Sequence, residues 1–116
     1  MAIYVEFGKP IGHSCEALSC SFDQTAPSRA GGLQQRAQRH GITFTKEVDY
    51  LSAKIWSHAA TGTIFDKVII EFYKKAEYTP FITYTAINAI ISHVSSSFDR
   101  EQINLNIEDI RVNTLD

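Results

Sequence analysis

Several things are scarce in this chain of 116 residues, and each scarcity closes a class of function. No apolar stretch approaches the roughly 20 residues that a membrane-spanning helix requires; the apolar runs are short, as in Val68 to Ile70. The opening segment, MAIYVEFGKPIGHSCEALSC, holds Glu6 and Lys9 and has no basic stretch leading into an apolar one. It does not read as a signal peptide, so the chain is expected to be made in the cytosol and to leave only through a dedicated export machine. Cysteines number two, Cys15 and Cys20. Five positions apart in one extended strand, they point to opposite faces and cannot pair locally, so free thiols are expected. Charge of one sign is scarce too: the net charge is −2, which offers no general attraction to nucleic-acid backbones or anionic lipid.

Catalytic and ligand patterns are equally thin. The four histidines, His13, His40, His58 and His93, show no helical i, i+4 pair, and there is no Cys-x-x-Cys, so the spacing carries no metal signature. His13 stands two residues from Cys15, but in a strand that spacing only places both on one face and does not make a reactive thiol. Glu108 and Asp109 are adjacent, so in a strand they point apart and form no general acid/base pair. Gly31-Gly32 lacks the strand-before, helix-after setting of a phosphate loop, and no Gly-x-Ser-x-Gly is present. No catalytic residue, cofactor site or metal site is assigned.

What is present reads as a single domain over residues 1–116, with 44% hydrophobic and 21% charged residues, close to the soluble globular average. Ile3, Val5 and Phe7 alternate with Tyr4 and Glu6, as on a half-buried strand, before GKPIG turns the chain. A second strand places Leu18, Cys20 and Phe22 on one face and Ala17, Ser19 and Ser21 on the other. Residues 23–32 have turn-forming composition, and LQQRAQRH after them is polar at both periods, as in a sheet edge, an extended hairpin or a solvated arm. Ile42, Phe44 and Val48 then resume the alternation, with Lys46 as the one charged residue on their face.

The next stretch changes period abruptly. Ser52 is the expected N-cap, Ile55, Trp56, Ala59 and Ala60 fall at helical spacing, and Gly62 is suited to the positive φ just past a helix end. A helix of about 52–61 follows, with Ile55, Trp56 and Ala59 packing inside the protein. DKVIIEFYKK returns to strand. The region TPFITYTAINAIISHVSSSF is extended, with mixed alternation near Ile87 and Asn88 that suggests a bulge or bend. In QINLNIEDIRV, Ile103, Leu105 and Ile107 share a face, and Ile110 and Val112 have shifted phase, as a second bulge would produce. One helix cannot cover both faces of so many strands. The fold class is therefore mainly β, a small barrel or two-sheet sandwich with the helix plugging one opening.

On these residues the chain resembles the Hcp family, the haemolysin-coregulated proteins of the type VI secretion system. FTKEVD, then Ser52, then HAATG, then a strand carrying FYKK is similar to the family pattern, which Thr45, Lys46, Glu47, Asp49, Ser52, Ala59, Thr61 and Gly62 match in place. Ala53 stands where proline is common, a harmless exchange because alanine is a good helix former. INAIISHVS is similar to the penultimate strand region, with Asn88 and Ser92 in place, and EQINLNIEDIRV resembles the last strand through Glu101, Ile103, Leu105, Ile107 and Ile110. The resemblance spans residues 42–112 and extends to the first two strands.

The resemblance implies a structural subunit of the secretion tube and not an enzyme. Its copies would join into six-membered rings that stack into a hollow tube, working with sheath, spike and baseplate proteins and holding small effector proteins in the lumen. Neither nucleic acid nor membrane insertion is implied. A tail-tube protein of a related contractile injection system and a monomeric ligand-binding barrel are the alternatives. The loop and polar segment holding Ser28, Arg29, Gln34, Arg36 and Gln38 are expected to contribute contacts between stacked rings. Lys46, Asp49, Ser52, Thr61, Gly62, Asn88 and Ile110 are expected to hold structure.

Overall fold

A computed structural model describes residues 2–9, 11–25, 39–75 and 77–114. Ser28, Arg29, Gln34, Arg36 and Gln38 lie outside the described residues. The elements are β1 (Ala2–Phe7), β2 (Ser14–Ala17), β3 (Ser19–Thr25), β4 (Arg39–Glu47), α1 (Ser52–Thr61), β5 (Ile64–Tyr73), β6 (Ile82–Ser97) and β7 (Arg100–Thr114). The strands form one antiparallel sheet in the order β2-β1-β5-β6-β7-β4-β3. β2 and β3 are one run of chain interrupted at Leu18: the first part bonds to β1, the second to β4. Because those partners stand near opposite ends of the strand order, this run draws the sheet round into a nearly closed barrel, and the mainly β reading with one helix holds.

The alternation that predicts β1 and β4 is the alternation that fills the interior. Val5, Phe7, Ile42 and Phe44 are buried, and Phe7 meets Phe65 and Phe44 with ring centroids 5.4 and 6.1 Å apart. Ile103, Leu105 and Ile107 of β7 complete the same core. Val48 does not join it. β4 has ended at Glu47, and Val48 lies on the surface at 46% exposure.

The break at Leu18 also changes the side-chain phase. Before it Cys15 and Ala17 point inward; after it Cys20 and Phe22 do. Leu18 itself is turned out, its amide donating to the Thr45 carbonyl at 2.7 Å, so the expected grouping of Leu18 with Cys20 and Phe22 fails. The two cysteines accordingly face the same interior rather than opposite sides. Both thiols are free, as expected.

A second phase change runs across three strands at once. The β5/β6 register steps over Asp66 and Asn88, and the β6/β7 register over Asn88 and Glu108, with the pairing unshifted on either side. Inward residues change parity at that line: Phe65 gives way to Val68 and Ile70, Ala86 to Ala89 and Ile91, and Ile107 to Ile110. Asn88 adopts φ 54°, the left-handed region that asparagine tolerates better than most residues, and its amide donates to Glu108 Oε1 at 3.1 Å. The irregularity expected near Ile87 and Asn88 is thus a bend without an added residue. A one-residue shift comes later, between Ile91 and His93, where the Ser92 hydroxyl donates to the Asn104 carbonyl at 3.2 Å. β7 has no second bulge. Its phase shift at Ile110 is the same seam crossed in step with its neighbours, and Val112 beyond it is exposed.

The seam divides the barrel into a front wall and a back wall. The front wall is β3, β4, residues 100–107 of β7 and residues 89–97 of β6; the back wall is β2, β1, β5 and the remaining parts of β6 and β7. α1 packs against β6 and sends Ile55 into the core, with Leu51 before it. Gly62 closes the helix as expected at φ 70°, its amide donating to the Ala59 carbonyl.

Candidate functional site

The junction between β4 and α1 is organised by the one charged residue that the alternation turns inward. Lys46 has no exposed side-chain surface, and its ammonium donates to Glu101 Oε1 at 2.8 Å, to the Glu47 carbonyl at 2.8 Å and to Asp49 Oδ1 at 2.9 Å. Three donors thus meet three oxygens, with the Ser52 hydroxyl farther off at 3.4 Å. Glu101, equally buried, accepts from Lys46 and from the Ser52 hydroxyl on Oε1, each at 2.8 Å, and from the Trp56 indole on Oε2 at 2.8 Å. One carboxylate of β7 therefore binds the end of β4, the start of α1 and its first turn.

Two expectations are corrected here. Ser52 is not the N-cap. Leu51 occupies that position, Asp49 Oδ1 accepts the Leu51 amide at 2.9 Å, and the Ser52 hydroxyl takes the Asp49 amide at 3.0 Å while donating to Glu101. The hydroxyl's proton thus goes to a charged acceptor, which strengthens that bond, and its oxygen accepts from the Asp49 amide ahead of the helix instead of from an amide of the first turn. Trp56 is not inside the barrel. It is 44% exposed, and its indole N–H reaches the Glu101 carboxylate of the ion pair. Ile55 is buried and Ala59 is half-buried, packed on the core.

The electrostatics describe a clasp. Burial opposes the charge on Glu101, but hydrogen bonds from Lys46, Trp56 and Ser52 outweigh it and hold the carboxyl below its ordinary range. Burial likewise opposes the Lys46 charge, and Glu101 with Asp49 outweighs it and raises the ammonium above its ordinary value. A protonated amine with every donor engaged performs no proton transfer at neutral pH. Among the described residues no group of three or more His, Cys, Asp or Glu side chains is placed to hold a metal ion. His58 bonds to the Thr63 hydroxyl at 2.9 Å, and the His13 ring stands 6.5 Å from that of Tyr50.

The thiols carry a testable consequence. Burial pushes Cys15 up to about 11, with Lys46 opposing and Asp49 and Glu101 adding to it, and pushes Cys20 up to about 12. In the folded protein at pH 8 both are expected to react with a maleimide at least about tenfold more slowly than in the urea-unfolded chain, because the thiolate is the nucleophile. The sign on stability follows: these thiols favour the fold below their unfolded value of 9.0, and the contribution is lost as pH rises through about 11 to 12. A denaturation midpoint flat from pH 8 to 12 in a Cys15→Ala/Cys20→Ala variant and in the parent alike would contradict this.

The barrel leaves strand edges open. Among the described residues β3 bonds only to β4, and β6 beyond Ile90 only to β7, so within them the front wall ends in unpaired backbone on both sides. Beside the β6 edge a cleft of about 300 Å³ is lined by Trp56, Ala59, Ala60, Ile91 and Val94. Open edges of this kind are places where a further strand adds.

Comparison with known proteins agrees with this geometry. The family described as type VI secretion system effector, Hcp, matches residues 13–113. No curated protein matches the chain. Among solved structures, Hcp1 from Salmonella typhimurium is similar over 97% of this chain and 85% of its own, with 18% identity and a TM-score of 0.78. A mutant Hcp1 from E. coli EAEC 042 is similar over 98% of both chains, with 16% identity and a TM-score of 0.75. A chain of the sheath–tube complex of an extracellular contractile injection system, PVC, in its extended state is similar over 97% of this chain and 88% of its own, with 15% identity and a TM-score of 0.71.

Proposed function

The chain belongs to the Hcp family of the type VI secretion system, and we propose on that basis that it is a subunit of the secretion tube: copies join into six-membered rings, and the rings stack into a hollow conduit for effector proteins. The observation that carries this reading is the front wall, which among the described residues has a strand edge without a partner at each end, β3 on one side and residues 91–97 of β6 on the other. Two different edges on one subunit make a head-to-tail contact, and such contacts close into rings when the rotation per subunit divides a full turn. The role is structural: the buried clasp fixes α1 against the front wall and leaves its edges to neighbours. The whole chain acts as one such domain, and its other partners are the sheath, spike and baseplate of the apparatus.

The likeness to the PVC chain supports a second reading, the tube of a related contractile injection system. Both readings share the ring. The monomeric ligand-binding barrel is disfavoured by an interior filled with Phe7, Phe44, Phe65 and Leu105. The expected result is a light-scattering mass near six times 13.0 kDa, with ring-shaped particles by negative stain. A monomer at high concentration would remove the tube reading. If rings form, charge reversal at Arg29 or Arg36 is expected to weaken their stacking and leave each ring intact.

A further inference from the structure

Four of the nine exposed large hydrophobics among the described residues stand at one end of the front wall. Leu18 precedes Ser19 at the start of β3, Val48 follows Glu47 at the end of β4, Tyr50 lies in the link to α1, and Phe98 tips the β6/β7 hairpin. The registers bring these ends together: Ser19 stands opposite Thr45, and Glu47 and Ser97 both stand opposite Arg100. Two backbone bonds tie them, from the Leu18 amide to the Thr45 carbonyl and from the Val48 amide to the Asp99 carbonyl, each at 2.7 Å. Exposed Glu47, Asp99 and Arg100 border the group. Apolar surface edged by charge in this way marks a protein contact.

Phe98 is out of keeping with a free surface on two counts. Its side chain is fully exposed, and its φ is 58°. Ser97 and Arg100 pair across it, so Phe98 is the first of two central turn residues, where a positive φ suits glycine or asparagine and is an outlier for a bulky side chain. Asparagine takes a similar φ at Asn88. One residue thus combines backbone strain with an aromatic ring in water, and neither stabilises a lone subunit.

We propose that this end is one axial face of the ring and that Phe98 is its anchor against the next ring, held at a cost to the stability of the single subunit. The inference rests on the tube reading above, which supplies the stacking; the apolar end and its strained anchor come from the strands. Backbone hydrogen bonds run across strands, so copies joined edge to edge through β3 and β6 stand these strands across the ring wall, and the strand ends form its two rims. The β6/β7 hairpin and the end of β4 therefore share a rim. Thr25 and Arg39, paired where β3 ends and β4 begins, lie at the opposite end, and the segment holding Arg29 and Arg36 connects them. A head-to-tail stack sets the apolar rim of one ring against that end of the next. Every copy repeats Leu18, Val48, Tyr50 and Phe98 around the rim, so the occupant that matches the repeat is another ring of the same chain.

Ring mass by light scattering, stack length by negative stain and urea unfolding test this on the parent, Phe98→Gly and Phe98→Trp. Phe98→Gly is expected to keep the parent's ring mass and to raise the urea midpoint, because glycine takes the positive φ freely. It should also need at least about tenfold more protein to stack, since an aromatic anchor leaves every copy at once. Phe98→Trp keeps an aromatic anchor and should stack as the parent does. Phe98→Gly stacks as long as the parent's, a lower midpoint in that variant, or parent rings that stay single at the highest soluble concentration would each overturn the proposal. Particles that stop at two rings would pair the rim with its own copy and overturn the head-to-tail placement. A monomeric parent removes the tube reading and this inference together, whereas each of the other failures removes this inference alone.

Discussion

Glu101→Ala is expected to cost about 3–5 kcal/mol of folding free energy, read as a large fall in the urea midpoint, because it strands the Lys46 ammonium in the interior. Both side chains are essentially without solvent exposure, so water cannot replace the lost partner without opening the barrel. Asp49, itself 36% exposed, remains on the ammonium but cannot substitute for a carboxylate that also holds Ser52 and Trp56. A loss of that size is a large share of the roughly 5–15 kcal/mol by which a domain of this size is stable. Glu101→Gln keeps the shape and one acceptor oxygen and should cost less. The double change Lys46→Met/Glu101→Leu should cost less than the sum of its single changes, since neither leaves a buried charge when both are made. Strict additivity in that cycle would mean that the pair is not coupled. The pH dependence has two signs. Glu101 lies below its ordinary pKa, so its contribution is complete above the ordinary carboxylate range and disappears as pH falls through the folded value. Lys46 lies above its ordinary 10.5, so its contribution is complete below that pH and disappears as pH rises through the raised value.

Phe7→Ala should be about as damaging, about 3–5 kcal/mol, and markedly more so than Trp56→Ala, although tryptophan is the larger side chain. Phe7 has no exposed surface, lies between the rings of Phe65 and Phe44, and its backbone leads directly into Gly8. A Cβ at Gly8 would stand 2.9 Å from the Lys67 carbonyl oxygen, so β1 and β5 are pressed together at this point. With the backbones this close, the cavity left by Phe7 cannot collapse by strand movement, and incomplete collapse is what makes a large-to-small change expensive. Trp56 gives up a half-exposed ring and one hydrogen bond, and solvent reaches the gap. Thermal and urea unfolding of the two variants side by side decide the order; Trp56→Ala as the worse of the pair would return the indole to the core.

The parts of the fold legible in the sequence are those set by neighbours along the chain. Ile3, Val5 and Phe7 announce a strand, Ile42 and Phe44 another, and Ile55, Ala59 and Gly62 a helix with its end, because the period of burial there is the period of the backbone. The misreadings occur where a distant residue overrules the local pattern. Ser52 has the side chain of an N-cap, but its proton goes to Glu101, placed by strand pairing 49 positions away, and its oxygen accepts from Asp49 ahead of the helix. Trp56 has the spacing of a core residue, but its N–H is drawn to the same buried carboxylate while its ring stays on the surface. Leu18 fails for a different reason. Period-2 counting assumes an unbroken strand, and the chain there leaves one partner for another. Lys46 was visible as a charge on an apolar face; what escaped was Glu101, which alternates inward with Ile103 and Leu105 and could have been proposed as its partner on that ground.

The seam through Asp66, Asn88 and Glu108 bears on how such a barrel can change length over evolutionary time. Three strands reverse their inward faces along one line and keep their pairing across it. A single inserted residue in one of them would turn the remainder of that strand inside out relative to two neighbours that had not moved, unless a bulge absorbs it as between Ile91 and His93. Length therefore changes in matched sets across this part of the barrel, at a bulge, or in the turns that join the strands. The turns escape this constraint, because no strand register runs through them.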